Sequence, residues 1–268
     1  MTEHGANPVN LGRGVLYPGL TATKIRLARP EPDPRLAPFV ENHWIVAWDL
    51  RGGKPYESRT LPHPSVHLVF EEPHPSVYGI IRGPFIREIA ELGHVFGVKF
   101  HPGGFRPFLG APVADLTDRV VPAQDVFGAG VFDVQEAVLA TRDDTEMTRH
   151  VEDFLLGMLP ARDPVADEVA AMVRTITETP AFVRVDDFAA HAGVSVRRLQ
   201  RLFAEYVGAS PKWVLRRARL HEAAERADQG GTLDWSALAA ELGYADQAHL
   251  TRDFTAAIGA PPGAYTRT

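Results

Sequence analysis

Between residues 195 and 226 the sequence sets eight basic side chains, Arg197, Arg198, Arg201, Lys212, Arg216, Arg217, Arg219 and Arg226, against three acidic ones. Fixed positive charge at that density is the chemistry of phosphate binding, because it attracts a polyanion and displaces its counterions. The footprint is local. The whole chain holds 28 Lys+Arg against 34 Asp+Glu, a net charge of −6. Residues 1–164 hold 16 basic against 21 acidic groups and residues 165–268 hold 12 against 13. Histidines are the other groups that invite chemistry. His63, His67 and Glu71 recur every fourth residue, and His101 lies at the end of a later apolar run. On a strand the first three would share a face, but four residues span roughly 13 Å, too far to share an ion. A helix would gather them, yet His63-Pro64 and the β-branched run that follows oppose one. They read as pocket or surface histidines, and no metal is expected. His101-Pro102-Gly103-Gly104 is a turn signal whose backbone N–H groups could face an anion, without the lysine of a phosphate loop. The chain has no cysteine, which removes disulfides, thiolate metal sites and thiol nucleophiles or sensors together. Nothing has the spacing of a nucleophile elbow or a catalytic triad, so no catalytic residue and no cofactor is expected.

Residues 165–268 must position the basic cluster, and there the chain repeats itself. The first copy runs from Phe188 through Gly193 and Ser195 to Phe203, and the second from Leu238 through Gly243 and Asp246 to Phe254. Leu199, Arg201, Phe203, Gly208 and Pro211 recur as Leu250, Arg252, Phe254, Gly259 and Pro262, all at an offset of 51. Each copy reads as a short helix stopped by a glycine in the left-handed conformation, then a second helix capped by Ser195 or Asp246. Leucine and phenylalanine anchor the inner face of that second helix, and its outward N-terminal residues are polar. Helix, glycine turn and polar second helix make a helix-turn-helix, whose second helix presents its N-terminal end to base edges. Between the copies, Ser210-Pro211 opens a long helix that runs through Arg226 to a stop at Gly230-Gly231. Roughly 20 residues at about 1.5 Å each span some 30 Å. That is close to the ~34 Å repeat of a duplex, so the two units would reach successive major grooves.

Upstream the pattern differs. His43–Trp48, Val66–Phe70, Val77–Ile81 and Val95–Phe100 read as strands, separated by the turn signals Gly52-Gly53, Pro73 with Pro75, Gly83-Pro84 and Pro102-Gly103-Gly104. Trp44, Trp48, Phe70 and Phe100 are expected in the core. From Val131 the apolar spacing becomes helical through Val134, Val138, Val151, Phe154 and Leu155, with a polar break at Arg142-Asp143-Asp144. Asp163 and Pro164 then supply a cap and first residue for a further helix ending before Pro180. The expected class is α+β: a β-rich domain over 1–130, a helical connector over 131–163, and an all-α domain over 164–268 with two helix-turn-helix units. The apolar face of 131–160 would either close the first domain or form a homodimer. No apolar run is long enough to span a bilayer, so no membrane partner is expected. The opening MTEHGANPVNLGRG has neither the basic nor the apolar region of a secretory signal, which makes the cytoplasm the expected location.

Residues from about 165 to 268 resemble the DNA-binding domain of the AraC (arabinose regulator) family. The likeness is carried by both helix-turn-helix units, by the linking SPKWVLRRARLHEAAERA and by the closing FTAAIGAPPGAYTR with Phe254, Gly259, Pro262 and Tyr265. Two departures concern capping: no Ser or Thr precedes Val185, and Ala260-Pro261-Pro262 stands where the family has Val-Ser-Pro. The resemblance implies base-facing roles for Arg197, Gln200 and Arg201 in the first unit, and for Gln247, Ala248, His249 and Arg252 in the second. Arginine suits guanine and glutamine suits adenine. Arg198, Lys212, Arg216 and Arg217 would contact phosphates. The partners implied are double-stranded DNA and, by the family pattern, RNA polymerase. Residues from about 30 to 160, through LPHPSVHLVFE and GVKFHPGGFRPFLGAPVADLTDR, resemble an N-terminal domain found on a subset of these regulators. Such a domain implies a small-molecule effector or dimerisation. Two other readings stay open at this point: an enzyme fused to a DNA-binding module, and a protein–protein adaptor built on a helix-turn-helix fold.

Overall fold

The computed structural model describes residues 11–179, 182–229 and 233–265. A short helix, α1 (Pro18–Thr21), precedes eight strands: β1 (Arg26–Ala28), β2 (Val40–Asp49), β3 (Tyr56–Thr60), β4 (His67–Phe70), β5 (Ser76–Tyr78), β6 (Phe85–Ile89), β7 (Leu92–Phe100) and β8 (Val120–Pro122). Helix α2 (Arg106–Leu109) lies between β7 and β8, and α3 (Gln124–Phe127) follows them. All pairings are antiparallel. Six strands form one sheet in the order β1-β2-β7-β4-β5-β8, and β3 with β6 forms a separate ribbon. The four apolar runs legible in the sequence are β2, β4, β5 and β7, of which β2, β7 and β4 are adjacent at the centre of the sheet.

Alternation along β2 explains the two faces. His43 and Ile45 are buried with Phe96, Val98 and Phe100 of β7 and Leu68 and Phe70 of β4. Trp44 and Trp48 point the other way and are only half-buried, not core residues as expected. Each indole lies across the neighbouring strand over a glycine: Trp44 pairs with Gly97 and Trp48 with Gly93. A Cβ on Gly97 would sit 2.0 Å from Trp44 Cε2, so only glycine admits the ring. Phe70 and Phe100 are fully buried, as expected.

Helices α4 (Val131–Ala140) and α5 (Asp144–Gly157) bracket the polar break. Asp143 caps α5 by accepting from the backbone N–H groups of Thr145 and Glu146. Their apolar face (Val131, Val138, Val151 and Leu155) joins the core of the sheet. Of the two uses foreseen for that face, closing the first domain is the one seen. Asp163 and Pro164 start α6 (Pro164–Glu178), with Asp163 accepting from Val165 N.

The remaining helices are α7 (Val185–His191), α8 (Val196–Leu202), α9 (Pro211–Asp228), α10 (Trp235–Glu241), α11 (Gln247–Ile258) and α12 (Pro262–Tyr265). A wide π-type turn, Phe203–Val207, continues α8. Helix α9 runs to Asp228; the Gly230-Gly231 stop read from the sequence lies outside the described residues. Two cores result, and each crosses from the strand region into the helical one. The first runs from the sheet through α6 to Phe188, Leu199, Phe203 and Val214. The second joins Leu16 and Leu61 to Leu220, Leu238, Leu250, Phe254 and Tyr265.

Candidate nucleic-acid interface

The two helix-turn-helix units are α7–α8 and α10–α11. Gly193 and Gly243 follow α7 and α10 at φ +66° and +70°, a conformation that a β-carbon makes costly and that turns the chain into the second helix. Ser195 accepts from Arg198 N, and Asp246 accepts from His249 N, so α8 and α11 have matching side-chain caps. Arg184 precedes α7 with no side-chain cap, in line with the missing Ser or Thr. Leu199 and Phe203, like Leu250 and Phe254, are fully buried and fix which face of each second helix points outward. Ser210 caps α9 through Trp213 N, and its 18 residues span roughly 27 Å.

The outward faces carry the residues that the family resemblance singled out. Arg197, Gln200 and Arg201 are exposed on α8, and residues three and four apart share a helical face. Gln247, Ala248 and Arg252 are exposed on α11. His249 is half-buried, its ring edge-on to Tyr244 at 5.1 Å. Among the described residues, no ion pair involves Arg197, Arg201, Lys212 or Arg252, whereas most other arginines here are tied down. Arg198 reaches Glu168 of α6 at 3.5 Å, and Arg216 holds Asp253 of α11 at 2.8 Å. Arg226 bridges Glu222 and Glu241.

Arg217 corrects the reading of it as a phosphate contact. It is 3% exposed, stacks its guanidinium 4.7 Å above Trp213, and donates from Nη2 to the Arg82 carbonyl at 2.5 Å. Burial first, and Arg216 second, lower its pKa to about 10. Arg219 is likewise buried, lying over the Tyr244 ring and donating to the Leu242 carbonyl. The local excess of five positive charges therefore overstates what reaches solvent. The misjudgement has a physical source: α9 is packed on nearly all sides, so its basic residues enter interfaces.

The histidine series is dispersed among separate partners. His63 stacks on His221 of α9 with ring centroids 4.3 Å apart. Its Nε2 donates to the Arg13 carbonyl, and His221 Nε2 donates to the Pro62 carbonyl. Burial holds both rings neutral, that of His221 with a pKa near 3, and Arg13 and Arg217 push it the same way. His67 accepts from Trp44 Nε1 at 3.1 Å and is also lowered to about 3 by burial. Glu71 accepts from the Tyr78 hydroxyl and pairs with Arg87. Among the described residues no group of three His, Cys, Asp or Glu could hold a metal ion. Arg13, which pairs with Glu222 of α9, and Arg82 and Asp118, which pair with each other and line a crevice beside α9, carry no motif in the sequence.

Comparison with known proteins matches two stretches of the chain. Residues 188–268, which hold both units and the helix between them, match the model of a helix-turn-helix domain family. This stretch is a helix-turn-helix domain. Residues 28–122 match a family described as a domain of unknown function, DUF6597, which spans all but the first strand residues of the sheet. The HTH-type transcriptional regulator GlxA of Rhizobium meliloti (strain 1021) is 29% identical over 154 residues, 52% of this chain and 47% of that protein. The chain thus spans about half the length of that curated relative. A transcriptional regulator of Chromobacterium violaceum, titled as having an AraC-type DNA-binding domain, is 24% identical over 38% of this chain and 88% of its own, at a TM-score of 0.32. ToxT of Vibrio cholerae O395 is 8% identical over 91% of this chain and 96% of its own, at a TM-score of 0.40. ToxT of strain SCE256 with unsaturated fatty acid bound gives 10% identity and 0.39 over 91% of each chain. No helix among the described residues is long and apolar enough to cross a membrane.

Proposed function

We propose that the protein is a sequence-specific transcription regulator that reads double-stranded DNA with α8 and α11 in two successive major grooves. The observation that carries this reading is the pair Arg201 and Arg252. They sit at equivalent positions of the repeat, both exposed and both outside any ion pair among the described residues. Arg197, Gln200, Gln247, Ala248 and His249 would complete the base-facing set, and Arg198, Lys212 and Arg216 would hold phosphates. Binding would break the long Arg198–Glu168 contact, an exposed pair that contributes little to stability.

The N-terminal domain would hold a small-molecule effector and transmit its presence through the contacts with α9. RNA polymerase and a second copy of the chain are the further partners proposed, and the cytoplasm is the proposed location. A homodimer would need a surface other than the face of α4 and α5 already packed on the sheet. No enzymatic role is proposed, and the adaptor reading does not account for the free cations at matching repeat positions. Selection of randomised duplexes by the purified chain tests the proposal. Enrichment of one asymmetric motif about two helical turns long supports it. Affinity that is negligible even at low salt contradicts it.

A further inference from the structure

The repeat that defines the two reading units extends back into the helix before each of them. At the same offset of 51, Val169, Met172, Val173 and Ile176 of α6 match Leu220, Ala223, Ala224 and Ala227 of α9, and all of them are buried. The same register equates Glu168 with Arg219 and Arg198 with His249. In the first unit these two positions are joined directly, since Arg198 of α8 reaches the Glu168 carboxylate of α6. In the second unit an arginine stands where the carboxylate was, and an aromatic ring takes up the link. Tyr244, in the turn between α10 and α11, is 5% exposed. The Arg219 guanidinium lies 4.5 Å from its ring centroid, and the His249 ring lies 5.1 Å away at 89°. The negative face and positive edge of a phenol ring favour both a cation over the face and a perpendicular aromatic neighbour. Arg219 is fixed in turn by donating from Nη1 to the Leu242 carbonyl at 3.3 Å. The Tyr244 hydroxyl is buried with no hydrogen-bond partner among the described residues, so these contacts use the ring alone.

From this geometry we infer that Tyr244 is a positioning residue for DNA recognition: its ring, held by Arg219 of the linking helix, fixes the His249 imidazole in one orientation towards the major groove. This role rests on the proposed reading of α11 as a base-contacting helix and adds what sets its specificity. In either neutral tautomer an imidazole has one nitrogen that donates and one that accepts. A ring free to flip offers both to a base edge, whereas a fixed ring offers one and so separates a purine N7 acceptor from an amino donor. Val194, which follows the first turn glycine as Tyr244 follows the second, has no ring to offer, and Arg198 is held by Glu168 instead.

The test uses the full chain and the duplex that it enriches from a randomised pool, together with that duplex changed at one base pair at a time. His249→Ala should reduce the preference at one base pair by about tenfold, the size of a single base contact. Tyr244→Leu should reduce preference at that same base pair by at least about threefold, spare the other positions, and add nothing there when combined with His249→Ala. Tyr244→Phe, which keeps the ring, should behave as the unmodified protein. Because losing a buried ring can unfold the second unit, the His249 Hε1 resonance of the DNA-free chain gives a second readout, assigned by its disappearance in His249→Ala. The ring current of Tyr244 should displace it from the position of a free histidine, and Tyr244→Phe should preserve the displacement. An undisplaced resonance, preference lost in Tyr244→Phe, or Tyr244→Leu weakening every duplex by one common factor would overturn the positioning while leaving the DNA reading intact. A base preference untouched by His249→Ala would overturn it as well. If no duplex is enriched, the DNA reading falls and this role with it, and a displaced resonance then reports only the ring contact.

Discussion

The two helix-turn-helix units share a sequence pattern, caps and anchors, but they are attached to the rest of the protein differently. The first is continuous with the sheet: Phe188, Leu199 and Phe203 lie in the same core as Phe96 and Phe100. Thr117 donates to the Gly208 carbonyl at 2.6 Å, and Arg106 pairs with Glu205 at 2.7 Å, so the exit of the first unit is held to the segment between β7 and β8. The second unit has its own smaller core, closed by the N-terminal strap through Leu16, Leu61 and the Tyr17–Tyr265 ring contact at 4.6 Å. Its outward charges differ too, with Arg252 alone on α11 against Arg197 and Arg201 on α8. The same helix-turn-helix pattern is thus packed into the core of the sheet in one copy and into a smaller core of its own in the other. In the proposed reading, the first unit would anchor on phosphate and guanine and the second would discriminate through Gln247 and His249.

The largest expected effects test that separation of cores. Phe203→Ala and Phe254→Ala each remove a fully buried ring and should cost about 3–5 kcal/mol. Hydrogen exchange would tell them apart. Phe203→Ala should raise exchange in α8 and also in the sheet, whereas Phe254→Ala should raise it in α10–α12 and spare β2 and β7. Uniform loss of protection in both variants would mean that the two cores unfold as one.

Next in size are the reading residues. Arg201→Ala and Arg252→Ala should each weaken specific DNA binding by about 1–3 kcal/mol and relax preference at different base pairs. Lys212→Ala should instead weaken all sequences alike and reduce the salt slope by about one, as measured by affinity across a salt series.

A smaller effect concerns the attachment of the linking helix α9, which includes the His63–His221 stack, whereas the Thr117–Gly208 and Arg106–Glu205 contacts of the first unit include no histidine. Groups facing the stack include Arg13, Lys99, His67 and Arg217, all of which disfavour protonation. The folded His221 titrates near pH 3, below the ordinary value of 6.5. Its neutral form therefore stabilises the fold above pH 6.5, and that contribution is lost as pH falls from 6.5 towards 3. Tm should drop between pH 7 and pH 5, and His221→Phe should flatten that dependence. An equally steep profile in the variant would place the titration elsewhere. Smallest are the caps: Ser195→Ala and Asp246→Ala should each cost about 1 kcal/mol in urea denaturation.

Much of this arrangement was legible in the residues, for reasons that can be named. Turn glycines, caps and apolar anchors are local devices, so Gly193, Ser195 and Leu199 announce a unit without knowledge of its surroundings. The strands β2, β4, β5 and β7 carry continuous apolar runs because they fill the centre of the sheet or bury side chains beside it. Strands β1, β3, β6 and β8 escaped notice because Arg26–Ala28 and Val120–Pro122 are three-residue edges, and YESRT and FIREI form a ribbon apart from the main sheet. The fate of Arg217 and the His63–His221 stack depended on contacts 135 and 158 residues apart, which no local spacing reports. The exposed arginines of α8 and α11 could be placed from the repeat, whereas the crevice could not.

The measurement that tests the central claim most directly is a base-resolution footprint on the selected duplex with the unmodified protein, Arg201→Ala and Arg252→Ala. The account predicts two protected major-groove patches about 10 base pairs apart, one lost with each substitution while the other persists. A single protected patch, or one erased equally by both substitutions, would contradict it.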